Sequence, residues 1–162
     1  MLEIGDKVPD FTLAVGYADG RREATRFSAL LGKGPIVLEF FPLAFTRVCT
    51  TQMCDVRDNI GAFRSKDAQV FGFSVDTAPS NAAFAKSLEL PHGIFSDPNR
   101  EVADVLWATE DVIGVRKVCV RGWMVVSPDG TVAAKYVATQ AGAPWVGTKP
   151  VEEALARLAR AG

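Results

Sequence analysis

PIVLEFFPLAFTRVCTTQMC, residues 35 to 54, runs from an apolar stretch straight into an amphipathic one. PIVLEFF is apolar at every position but Glu39, the reading of a strand covered on both faces of a sheet. From about Arg47 to Lys66, the apolar residues Cys49, Met53, Val56, Ile60 and Phe63 recur at the spacing of one helical face. A buried strand leading at once into a helix is the repeating unit of α/β proteins. Pro42 ends the strand, and Thr46 stands where a helix N-cap is expected, its hydroxyl accepting a backbone N–H of the first turn.

The rest of the chain supplies partners for this unit. VPDFTLA reads as an opening strand, and the Asp-Gly of YADGRRE turns it into an N-terminal hairpin. FSALLGKG reads as a short helical turn ending at glycine, and AQVFGFSV as a second buried strand. Pro79 to Leu88 is expected as a helix opened by its proline, HGIFSD as a short strand, and Asn99 to Trp107 as another helix. VCVRGWMVV, the turn SPDG and TVAAKYVA predict one antiparallel hairpin. Val151, Ala154, Leu155 and Leu158 give the last helix its apolar face. Strands alternating with helices and closed by a hairpin predict an α/β fold. Its mixed central sheet is flanked by helices, in one domain over residues 1–162.

Composition narrows the function classes. Apolar residues make up 48% of the chain and charged residues 23%, an ordinary globular balance. A formal charge of -1 and the absence of a basic run argue against nucleic acid or a membrane surface as partner. MLEIGDKVPDF has acidic residues early and no continuous apolar core, so no signal peptide is expected and the protein is read as soluble and cytoplasmic. Three cysteines are too few, and odd in number, for a secreted disulfide scaffold. In a reducing compartment they suggest metal binding or redox chemistry. Zinc would want about four ligands, and three cysteines with one scattered histidine have no ligand spacing.

Cys49 falls in the first helical turn, where free amides and the helix dipole favour a thiolate, the nucleophilic form. A buried cysteine filling an apolar helix face is an equally ordinary reading. Cys54 lies five residues on. Five helical residues rise roughly 7.5 Å and turn about 500°, which separates the side chains. A disulfide needs Cα atoms within about 7 Å and converging Cβ vectors. The two cysteines therefore never bond, or they bond only when the first turn unwinds.

Pro42, Thr46 and Cys49 form P-x-x-x-T-x-x-C between a buried strand and a helix. This pattern resembles the active-site signature of the peroxiredoxins. CTTQMCDVRD is similar to the bacterioferritin comigratory protein (peroxiredoxin Q) branch, as are GDKVPDFTL near the start and VRGWMVVSPDG. The resemblance covers most of the chain. It implies a thioredoxin-like fold with an N-terminal hairpin extension, and reduction of hydroperoxides without metal or organic cofactor. By the same resemblance Cys49 is peroxidatic and Cys54 resolving, forming an intramolecular disulfide that thioredoxin or a similar dithiol recycles. Arg121 and Thr46 would activate the sulfur and hold the peroxide, Pro42 would shape the pocket, and the enzyme would be monomeric.

Other features have plainer readings. Arg121, like Arg116, could be an ordinary strand arginine. Cys119 shares strand parity with Arg121 and is expected to be a buried structural thiol on that side. A Cys–His hydrolase would need His92 beside Cys49. Gln52, one turn into the helix, either supports the loop through hydrogen bonds or lies at the surface. Phe41, Phe45 and Trp123 read as core. A redox sensor that passes its oxidation to a partner shares the cysteine chemistry and remains the alternative function. A thiol-disulfide oxidoreductase is disfavoured, because C-x-x-C is absent.

Overall fold

The computed structural model describes residues 1–162. Strand β3 (Ile36–Phe40) is buried at every position, and helix α1 (Arg47–Asp58) begins seven residues after its end. On β3, Ile36, Leu38 and Phe40 face one hydrophobic cluster while Val37 faces another. This alternation puts Glu39 on the Val37 side, beneath α1.

Around β3 the chain builds a seven-stranded sheet in the order β2-β1-β5-β4-β3-β8-β9. The N-terminal hairpin, β1 (Thr12–Gly16) and β2 (Arg22–Arg26), extends one edge by pairing antiparallel with β5 (Ile94–Ser96). Strands β5 and β4 (Gln69–Ser74) run parallel to β3. Strands β8 (Gly122–Val126) and β9 (Val132–Val137) complete the other edge antiparallel. Helices α1, α2 (Ile60–Arg64), α3 (Ala78–Ser87) and α5 (Lys149–Ala161) pack on one face, as the clusters around Val37 and Phe41 require. The other face holds the larger cluster around Leu38, Phe73 and Met124, closed by the Phe27–Leu30 turn and by α4 (Ala103–Leu106). This is the mixed, thioredoxin-like sheet with a hairpin extension.

Three elements depart from the sequence reading, each because a side chain competes with regular backbone pairing. The expected helix from Arg47 to Lys66 breaks at Asn59, whose amide donates to the Asp55 carbonyl and carboxylate at 2.8 and 3.1 Å. The expected helix from Asn99 to Trp107 shortens to α4, since Asp97 takes the amides of Val102 and Ala103 at 2.9 and 2.6 Å. VCVRGWMVV is not one strand. Its first part belongs to β7 (Val115–Cys119), paired with β6 (Thr109–Val112) in a separate hairpin that periodicity did not predict. Trp107 Nε1 donates to the Val120 carbonyl at 2.7 Å, and the chain leaves Arg121 between the two sheets.

Candidate active site

The loop from Pro42 to Thr46 is held before α1 begins. Asp76 accepts the Ala44 amide at 2.8 Å and the Ser74 hydroxyl at 2.8 Å. Phe45 takes a left-handed backbone (φ 64°), which costs energy for an aromatic residue and turns the chain sharply into the helix. Its side chain is 59% exposed and rests against Phe84, so the core reading fails for Phe45 while it holds for Phe41 and Trp123. Thr46 does occupy the N-cap, but its hydroxyl accepts no helix amide. It donates to the Leu43 carbonyl at 2.7 Å instead, closing the loop on itself.

Cys49 is the third residue of α1 and completely buried. The reading of a buried cysteine on the apolar helix face holds. Cys49 packs with Phe41, Met53 and Phe84, and its sulfur also receives an N–H from Arg121 Nη1 at 3.3 Å. Arg121 is 2% exposed. It donates to the Ala143 carbonyl at 2.8 Å, to the Ala141 carbonyl at 3.5 Å and to Gln52 Oε1 at 2.8 Å. None of these partners is a carboxylate. A buried guanidinium without a carboxylate partner is costly, and its N–H groups are met only by carbonyl oxygens, the Gln52 amide oxygen and the Cys49 sulfur.

The segment after β9 that offers those carbonyls is itself anchored. Glu110 accepts the Ala141 amide at 2.6 Å, and Asp55 accepts Trp145 Nε1 at 2.7 Å. Gln52 is wholly buried, and its Nε2 donates to Glu39 Oε2 at 3.1 Å and to the Phe40 carbonyl at 3.2 Å. The surface reading of Gln52 is thus corrected. Burial, with a smaller push from Asp55 and against the Gln52 hydrogen bond, raises the Glu39 carboxyl to about 8.

Over this cluster lies a cavity of about 240 Å³, lined by Pro42, Leu43, Thr46, Val48, Val112 and Arg121 among others. Its wall is mostly apolar, its one buried cation is Arg121, and it meets the surface beside Thr46. The missed hairpin contributes Val112. A larger depression of about 470 Å³, between α5 and β9, is lined by no cysteine.

The model of the AhpC/TSA family matches residues 4–135. The chain belongs to the AhpC/TSA family. A peroxiredoxin of Mycobacterium tuberculosis is 37% identical to it over 136 residues, 82% of this chain and 83% of that one. Chloroplastic peroxiredoxin Q of Triticum aestivum is 36% identical over 110 residues, 68% of this chain but 48% of the plant protein. Among solved structures, peroxidoxin BcpB from Mycobacterium tuberculosis has a TM-score of 0.79 at 29% identity, over 99% of this chain and 98% of that one. Enterococcus faecalis AhpC, at 20% identity, has a TM-score of 0.85 over 97% and 93% of the two chains, which speaks to fold alone. Membership supports thiol-dependent peroxidase activity with a hydroperoxide substrate and a thioredoxin-type reductant.

In this AhpC/TSA chain the other sequence candidates lie apart from the sulfur. Cys54 is half-buried on the same helix as Cys49, and both are free thiols. Cys119 is buried in the cluster on the opposite face, where burial pushes its thiol far up. The break after β7 separates it from Arg121, so the shared parity did not survive. His92 is also buried, its Nδ1 paired with the Gly93 carbonyl at 3.0 Å and its ring held neutral with a pKa lowered to about 4. It lines a cavity with Tyr17 and Arg64, and no hydrogen bond links it to Cys49. Glu39 is the residue that sequence reading passed over, as a mere interruption of an apolar run. An acid within a strand covered on both faces was the available signal.

Proposed function

We propose that the protein reduces hydroperoxides with Cys49 as the attacking thiolate and Cys54 as the resolving thiol. The observation that carries this reading is the Arg121 Nη1 contact to the Cys49 sulfur, made by a buried guanidinium with no carboxylate partner. The sulfur attacks the terminal oxygen of R–O–O–H, an S–O bond forms as the O–O bond breaks, and the alkoxide leaves to be protonated by water. Cys49 is then a sulfenic acid. Arg121 stabilises negative charge first on sulfur and then on the departing oxygen, and Thr46 accepts the peroxide hydroxyl on its free lone pairs. Pro42 offers no N–H and keeps the wall of the cavity closed to water.

Resolution follows from the helix. Cys49 and Cys54 both lie in α1, and i and i+5 stand roughly 7.5 Å apart along its axis. The Cys54 thiolate reaches the sulfenic sulfur after the first turn opens, the S–S bond forming as the S–O bond breaks and hydroxide leaves, to be protonated by solvent. N-terminal turns lie at the low end of local unfolding free energy, and an opened turn exposes the disulfide to a reductant thiolate. We read the enzyme as a cytoplasmic monomer recycled by thioredoxin. NADPH oxidation with thioredoxin and its reductase tests the reading, many turnovers per protein being expected. A single burst of one peroxide per chain would instead assign the sensor role.

A further inference from the structure

We propose that Glu39 is a positioning residue for the Cys49 site, a buried carboxyl that fixes the Gln52 amide in the orientation that keeps Arg121 on the sulfur. The proposal rests on the reading of Cys49 as the reacting thiol. Four groups form the line. Glu39 Oε2 accepts from Gln52 Nε2 at 3.1 Å, Gln52 Oε1 accepts from Arg121 Nη1 at 2.8 Å, and that same Nη1 donates to Cys49 Sγ at 3.3 Å. Each of the four residues is at most 2% exposed, so water substitutes for none of these bonds.

An amide is nearly symmetric in shape, and what decides which end faces the guanidinium is what waits on the other side. Here two acceptors wait, the Phe40 carbonyl and Glu39. A flipped Gln52 would set its N–H groups against those of Arg121, losing a charge-assisted bond and leaving a buried donor unpaired. Glu39 thereby acts on the sulfur through two intermediaries without touching it.

Charge gives the second half of the argument. From α1, Asp55 is the charged neighbour of Glu39, and from the head of β8 comes Arg121 through Gln52. In register with Glu39, β4 presents Gly72 and β8 presents Trp123, and α5 adds Val151 and Leu155 to that layer, all uncharged. With burial holding the carboxyl protonated up to about pH 8, Arg121 is left to neutralise one anion, the sulfur. Ionised Glu39 adds a second buried anion. It competes for the guanidinium and opposes charge on the sulfur and on the departing oxygen, so the oxidation step slows as pH rises past that point.

Stopped-flow oxidation by one equivalent of hydrogen peroxide, followed across neutral and alkaline pH, tests this with two variants. Glu39→Val removes a buried acid from a strand and favours it by propensity, so a stable fold is expected. Losing the acceptor should nonetheless slow oxidation by about tenfold, the equivalent of one hydrogen bond to a charged group. Glu39→Gln still offers a carbonyl oxygen to Gln52 and should stay within about twofold of wild type near neutrality. It should lose the alkaline decline. Wild-type rates for Glu39→Val, or an unchanged alkaline decline in Glu39→Gln, would overturn the proposal. A wild-type chain that consumes no peroxide would overturn the peroxidase reading itself, and this is visible before any variant is compared.

Discussion

Cys49→Ser is expected to abolish peroxide consumption, a loss on the order of a thousandfold or more, because a serine hydroxyl stays neutral and attacks an O–O bond poorly. The variant should fold. Its hydroxyl sits among Phe41, Met53 and Phe84 at a cost of about 1–3 kcal/mol, within the usual stability of a domain. Cys119→Ser should retain most activity, since that thiol lies in the cluster on the other face of the sheet and burial keeps it protonated. Peroxide clearance measured for both variants gives the comparison. Normal turnover by the Cys49 variant removes the assignment, whatever the family.

The second large effect belongs to Arg121. Its replacement by alanine takes away the N–H on the sulfur, the positive charge of the site and the donor to the Ala143 carbonyl. The first oxidation should slow on the order of 10²- to 10³-fold, the range seen when a donor to developing charge is deleted. The unpaired carbonyls and Gln52 should cost about 1–3 kcal/mol of stability, so a thermal melt separates damage to the fold from damage to the chemistry. Arg121→Lys should recover little. An ammonium lacks the planar fork that serves Ala143, Gln52 and the sulfur together. An unchanged oxidation rate in Arg121→Ala would take Arg121 out of the site.

Much of the fold was legible because local signals and tertiary needs agree. PIVLEFF and AQVFGFSV are buried on both sides and read as such, and the stripe from Cys49 to Val56 marks the face that α1 buries. Proline, threonine and cysteine stand in register within one short segment; Pro42 and Thr46 line the cavity with Arg121, and Cys49 lies buried behind it, against the Arg121 guanidinium. What stayed hidden depends on contacts between distant residues. Asp97 capping α4 and the Trp107 indole holding the Val120 carbonyl leave no periodic trace. The Thr46 hydroxyl could have served the helix or the loop, and only the loop geometry chooses Leu43. Glu39 looked like a flaw in a strand until α1 laid Gln52 across it.

The most direct measurement is peptide mass mapping of the reduced protein after one equivalent of hydrogen peroxide, with free thiols blocked before digestion. The account predicts a peptide pair or single peptide carrying a Cys49–Cys54 disulfide, with Cys119 blocked as a free thiol. That bond cannot form while residues 47–58 remain helical, so its appearance also reports the opening of the first turn. Recovery of Cys49 as an unreacted thiol, with the oxidation found on another residue, would contradict the account.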